Sequence, residues 1–121
     1  MTAANDRVEI EALVFEYARR IDDGDFAGVG ALFAEGSVCA PDGTPLATGA
    51  EAVEALYTAT TRRYEDGTPR SHHVTSNLAV TIDLSTATAQ SYFSVFQATD
   101  GLDLAPIVAG RYEDTFARTA G

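Results

Sequence analysis

The spacing of apolar residues changes period once along the chain, at Ser71, and that change excludes most architectures. Before it, Ile10, Leu13, Val14, Tyr17, Ala18 and Ile21 recur at the three-, four- and seven-residue steps of one helical face. Asn5 or Asp6 is placed to cap that helix and Gly24 to end it. Phe26, Val29, Leu32 and Phe33 predict a second, shorter helix with Asp25 as its N-cap, and Gly49 to Tyr57 predicts a third, with Val53, Leu56, Tyr57 and Thr60 on one face. Between them "VCAPDGTPLATG" reads as two short strands around a Pro-Asp-Gly turn, while "RRYEDGTPR" reads as a polar loop.

From Ser71 the period is two. "SHHVTSNLAVTIDL" sets Leu78, Val80, Ile82 and Leu84 on one side and Thr75, Asn77, Ala79 and Thr81 on the other. "TATAQSYFSVFQATD" and "PIVAGRYEDTFART" continue in that character, separated by "GLDL", which reads as a loop. Helices first and three long strands last make an α+β fold. Long consecutive strands in a small domain favour an antiparallel, strongly curved sheet with the helices laid across one face. The expected result is a cone enclosing an apolar pocket.

A length of 121 residues supports one domain with one core. Eight Lys plus Arg against 18 Asp plus Glu leave a net charge of -10, which argues against nucleic acid and anionic membrane surfaces as partners, because both recruit clustered cations. Neither an apolar leader core nor a run long enough to span a bilayer occurs, and Cys39 is alone, so no internal disulfide is possible. These features fit a cytoplasmic protein. Cys39, with no cation nearby in sequence, reads as a small buried hydrophobe.

Two stretches could carry chemistry. In "RRIDDGDF" three carboxylates stand where a helix ends, although acids are mildly unfavourable at that pole of the helix dipole. Asp25 is explained as a cap and Asp23 as a solvated turn residue. Asp22 borders the core-facing stripe, so it either bonds a neighbouring backbone group or Arg19, or is buried and suited to act as a base. The second stretch is "PRSHHVTSN", where His72 and His73 are adjacent and therefore point to opposite faces of a strand. One would be a surface or interface residue. The other could be a core or surface histidine, or an imidazole base oriented by a carboxylate.

No metal is expected, because His-x-His and His-x-x-x-His spacings are absent and "DDGD" lacks the alternation of a calcium loop. Phosphate-loop, dinucleotide and nucleophile-elbow motifs are absent too. Tyr17 and Tyr57 lie on helix faces predicted to be apolar, where they either pack in the core or offer phenol hydrogen bonds to a ligand.

"IEALVFEYARRIDDGDFAGVGALF", then "GAEAVEALY", "RSHHVTSNLAVTID" and "AGRYEDTFAR", taken in this order, resemble the nuclear transport factor 2-like superfamily and, within it, the SnoaL-like branch. The resemblance covers nearly the whole chain. It implies a cone of curved, mixed but mostly antiparallel sheet with three helices in the N-terminal half, and commonly a homodimer formed through the sheet. Members include polyketide cyclases, dehydratases, an isomerase, an epoxide hydrolase, a dehydrochlorinase and dioxygenase small subunits, so fold alone does not choose a reaction. The family's usual closing strand, opened by a Trp after a Gly, has no counterpart before "FARTAG". The expectation is therefore one SnoaL-like domain over residues 1–121 without that strand.

Dehydratase and dehydrochlorinase members pair an Asp near the end of the first helix with a His on the first long strand. The matching positions here are Asp22 and His73, with Asn77 as a structural partner further along. The resemblance thus implies a cofactor-independent lyase or isomerase in which His73, polarised by Asp22, removes a proton from a small apolar ligand. Val14, Tyr17, Leu32, Phe33, Leu56, Tyr57 and Phe93 are the expected lining. The other reading is a non-catalytic module of the same fold that binds a small ligand or completes a larger complex.

Overall fold

The computed structural model describes residues 3–118, in the order α1 (Ala3–Asp22), α2 (Phe26–Leu32), β1 (Ser37–Cys39), β2 (Pro45–Thr48), α3 (Ala50–Thr60), β3 (Ser71–Asp83), β4 (Thr86–Thr99) and β5 (Leu102–Ala117). The chain's end beyond Arg118, where the sequence reading finds no closing strand, lies outside the described residues. Two compact units are present, one of the residues through Ala18 with those from His72 on, the other of Arg19 to Ser71.

In the first unit β3, β4 and β5 form a three-stranded sheet in that order. β4 and β5 are antiparallel, with Ala89 opposite Asp114, Ser91 opposite Tyr112 and Phe93 opposite Gly110. Ile10 of α1 packs on Val80, Ala87 and Ala89, with Leu78, Ile82 and Phe116 around them. Small residues on β4 admit the helix here, and burying one aliphatic side chain of this size contributes about 1.5–3 kcal/mol. The Arg7 guanidinium donates to the Val80 carbonyl at 3.1 Å, and Arg118 pairs with Asp6. α1 has already begun at Ala3, so Asn5 and Asp6 lie inside its first turn rather than capping it, and Asp6 serves that ion pair instead.

The burial of β3 steps out of phase once. Ser71, His73 and Thr75 are the less exposed residues of its first half, and Leu78, Val80 and Ile82 those of its second. Asn77, with φ of 54°, absorbs the extra residue as a bulge does. The strict alternation expected from sequence, with Thr75 facing away from Leu78, is corrected accordingly. Leu84 is not part of that face either. It follows the strand's last residue, has φ of 55° and is 87% exposed, because the chain turns there towards β4. "GLDL" is likewise strand from Leu102 on, leaving a short turn at Asp100 and Gly101.

In the second unit α2 packs on α3. Phe26, Val29 and Val53 are fully buried, and a Cβ on Gly30 would overlap the Ala50 carbonyl oxygen, so glycine is what lets the two backbones touch. β1 and β2 pair antiparallel around the turn expected from Pro-Asp-Gly. Three sequence expectations change. Leu13 is exposed on α1, at the margin of its stripe. Thr60 is exposed in the last turn of α3, where its hydroxyl donates to the Leu56 carbonyl. Cys39 is exposed at the end of β1, where the register shifts between Val38 and Cys39.

Candidate functional site

The three carboxylates of "RRIDDGDF" are sorted by backbone geometry. The Gly24 N–H donates to the Ile21 carbonyl at 2.9 Å and the Asp25 N–H to the Arg20 carbonyl at 2.9 Å, with Gly24 at φ of 75°. This is a Schellman ending, which needs a left-handed residue just past the helix. Asp25 then caps α2, its carboxylate accepting from the Gly28 N–H at 2.9 Å. Asp23 is exposed. Asp22, the last residue of α1, is partly buried and accepts a hydrogen bond from the Ser71 hydroxyl, Oγ to Oδ1, at 2.7 Å.

Ser71 is brought to Asp22 by a tightly built loop. A Cβ on Gly24 would overlap the Gly67 carbonyl oxygen, so the helix-ending turn and the loop meet backbone to backbone. The Arg63 guanidinium lies 4.6 Å over the Phe26 ring and donates to the Gly24 carbonyl at 3.2 Å. Asp66 accepts from the Thr68 N–H and hydroxyl, both at 2.9 Å, and the Thr68 hydroxyl accepts from the Arg70 N–H at 3.1 Å. The two Thr68 bonds, backbone first, and then the nearby Arg70 charge hold the Asp66 carboxyl below its ordinary range. Arg70 itself has φ of 54°, a conformation costing about 1–2 kcal/mol for a residue with a Cβ. The strained residue is the one that feeds the chain into β3 at Ser71.

β3 separates the two histidines as alternation requires. His72 is exposed and lies edge-on to Phe96 at 6.5 Å between ring centres, while His73 takes the opposite, less exposed face. On the inner face of the β4–β5 ladder Phe93 stacks on Tyr112, 4.3 Å between centres and 20° between planes. Tyr17 of α1 meets Tyr112 edge-on at 5.7 Å. Gly110 makes the stack possible, since a Cβ there would sit 2.7 Å from the Phe93 ring. The ring lies over the bare backbone of its cross-strand partner and reaches the residue two further along.

The expected lining residues belong to both units. In the first unit Val14 is buried on α1, and Tyr17 and Phe93 are joined through Tyr112. In the second, the half-buried Tyr57 packs against Phe26 at 6.2 Å. Leu32, Phe33 and Leu56 are half-buried there, with Phe33 as the C-cap of α2.

Sequence reasoning missed Ser71, Ser91, Tyr112 as the centre of the aromatic trio, and Asp114. Ser91 is 2% exposed, and its hydroxyl reaches no hydrogen-bond partner among the described residues. Asp114 is half-buried on the same inner face, and burial raises its pKa. The available signal was the alternation of "RYEDTFA": Tyr112, Asp114 and Phe116 share one parity, so an acid stands on an otherwise apolar face. Among the described residues no three His, Cys, Asp or Glu side chains converge as a metal ion would require, and no helix is long and apolar enough to cross a membrane.

A family model described as the SnoaL-like domain matches residues 2–121. No curated protein sequence matches the chain. Solved structures from Novosphingobium aromaticivorans are similar throughout. One, an NTF2-like protein with a cystatin-like fold, is 26% identical with a TM-score of 0.76, over 96% of this chain and 74% of that one. A candidate scytalone dehydratase is 22% identical with a TM-score of 0.70, over 99% and 80% of the two chains. A candidate aromatic ring hydroxylase is 25% identical with a TM-score of 0.73, over 98% and 82%.

Proposed function

The chain belongs to the SnoaL-like family, and from that premise we propose that it is a cofactor-independent lyase or isomerase whose base is His73 and whose orienting acid is Asp22. The observation that carries the reading is the 2.7 Å bond from Ser71 to Asp22 Oδ1. It ties the carboxylate to the first residue of β3, and Ser71 and His73 are alternate, less exposed residues of that strand. A carboxylate has acceptor sites beyond the one Ser71 uses, so it can also take the Nδ1–H of an imidazole. The candidate scytalone dehydratase among the structural neighbours favours elimination chemistry on this fold.

The chemistry follows from that arrangement. An imidazole whose Nδ1–H is held by a carboxylate presents Nε2 as the base, and the carboxylate stabilises the imidazolium that forms. Nε2 takes a proton from carbon beside a carbonyl, or from carbon next to one bearing a leaving group. The electron pair left behind forms the new double bond as hydroxide or halide departs, or is reprotonated elsewhere in an isomerisation. The ligand is a small, largely apolar molecule.

Tyr92, Leu104 and Ile107 are among the exposed apolar side chains of β4 and β5. We assign these strands as the surface a second copy would cover in a homodimer. A module without catalysis would share that surface, but would not need a titrating pair.

The test is the NMR titration of His73 in the parent and in Asp22→Asn, with His72→Gln to separate the two imidazole signals. A clear fall in the His73 pKa on losing Asp22 is expected. Identical titration in the two proteins would mean that the residues are uncoupled, and the binding-module reading would replace this one.

A further inference from the structure

We propose that Ser91 and Asp114, on the inner face of the β4–β5 ladder, hold a hydroxyl group of a bound ligand beside the Tyr17–Tyr112–Phe93 stack. The proposal stands on the register. Ala89 faces Asp114 and Ser91 faces Tyr112, so Ser91 and Asp114 are diagonal neighbours on one face, roughly 7 Å apart. One ligand hydroxyl can bridge two side chains at that separation, accepting from the Ser91 hydroxyl and donating to the Asp114 carboxyl.

Ser91 is the stronger half of the argument. A hydroxyl 2% exposed with no protein partner among the described residues is costly to keep, and an alanine would fill the same space. A group that destabilises the empty protein is what a ligand-binding position looks like. Asp114 is the complementary half. Ile10 packs on Ala87 and Ala89, the apolar patch that Asp114 faces across the ladder, and burial favours its neutral form. A carboxyl buried beside apolar groups gains from a hydrogen-bond donor, and a ligand hydroxyl supplies one. A donor and an acceptor beside an aromatic wall select a hydroxyl attached to an apolar body.

The inference deepens the lyase or isomerase reading by naming what grips the oxygen of the same ligand, yet it can fail separately. Its test uses 2-naphthol and naphthalene as probes, measured by equilibrium dialysis against the parent, Ser91→Ala, Asp114→Ala and Asp114→Asn. The parent is expected to prefer 2-naphthol by about tenfold or more, the scale of a buried hydrogen bond. Ser91→Ala and Asp114→Ala should bring the ratio close to unity, Asp114→Asn should retain much of it through its amide oxygen, which also accepts, and Ser91→Ala should have a Tm no lower than the parent. The proposal is overturned if the parent shows no preference or binds neither probe, or if the ratio survives either alanine substitution. It is overturned equally if Ser91→Ala lowers the Tm, which would mark the hydroxyl as structural. Titrating His73 in Ser91→Ala separates the two claims: coupling to Asp22 that persists while the probe ratio is insensitive to Ser91 removes this inference alone.

Discussion

The hydroxyl of Ser71, first residue of β3, donates to the carboxylate of Asp22, last residue of α1, across 2.7 Å. Forty-nine residues separate them in sequence, and the bond is what gives Asp22 a role distinct from those of Asp23 and Asp25. Ser71→Ala should cost about 1–2 kcal/mol by urea unfolding, because a partly buried carboxylate loses one of its hydrogen bonds. Ser71→Thr, which keeps the hydroxyl, should recover most of that loss.

Gly24 and Gly43 both have positive φ, at 75° and 90°, but only Gly24 has another backbone against it. Gly43→Ala should cost only the left-handed penalty of about 1–2 kcal/mol. Gly24→Ala must also push the Gly67 carbonyl away, so its loss of stability should be clearly the larger of the two, with Ser71 drawn off Asp22. Comparing the midpoints of the two variants in one denaturant series tests this.

Gly110→Ala would place a methyl 2.7 Å from the Phe93 ring and tilt it off Tyr112. A loss of about 1–3 kcal/mol is expected, with a changed near-UV circular dichroism spectrum. In Phe93→Leu the same glycine substitution should cost much less. Additive losses would show that the two positions do not touch.

Asp114 predicts a pH dependence of known sign. Its folded pKa is raised by burial above an ordinary 3.8, so the native state holds the proton more tightly than the unfolded chain does. Its favourable contribution is complete below 3.8 and is lost as pH rises through the folded value. Asp114→Asn, neutral at every pH, should therefore gain on the parent as pH rises above 3.8. Urea midpoints that keep a constant difference across this range would contradict the burial of the charge.

Leu84 buries almost nothing and holds φ of 55°. Leu84→Asn, which tolerates that conformation better, should stabilise the protein by about 0.5–1 kcal/mol. Thermal unfolding would register this as a rise of a few degrees in Tm.

Sequence alone was sufficient wherever the deciding forces act within a few residues. The end of α1 at Gly24, the Asp25 cap, the β1–β2 turn and the succession of three helices and long strands all follow from local hydrogen bonding and from the period of burial. The placement of His72 and His73 on opposite faces is equally local.

Tertiary structure decided the rest, because the relevant partners are far apart along the chain or depend on register. One extra residue at Asn77 moves the first half of β3 onto the face of Leu78 and Val80, and strict alternation cannot reveal such a slip. The Phe93–Tyr112 stack depends on Gly110 lying opposite Phe93. The polarity of Ser91 and Asp114 was visible in the sequence, but their adjacency was not, since it arises only when β4 and β5 pair in one particular register.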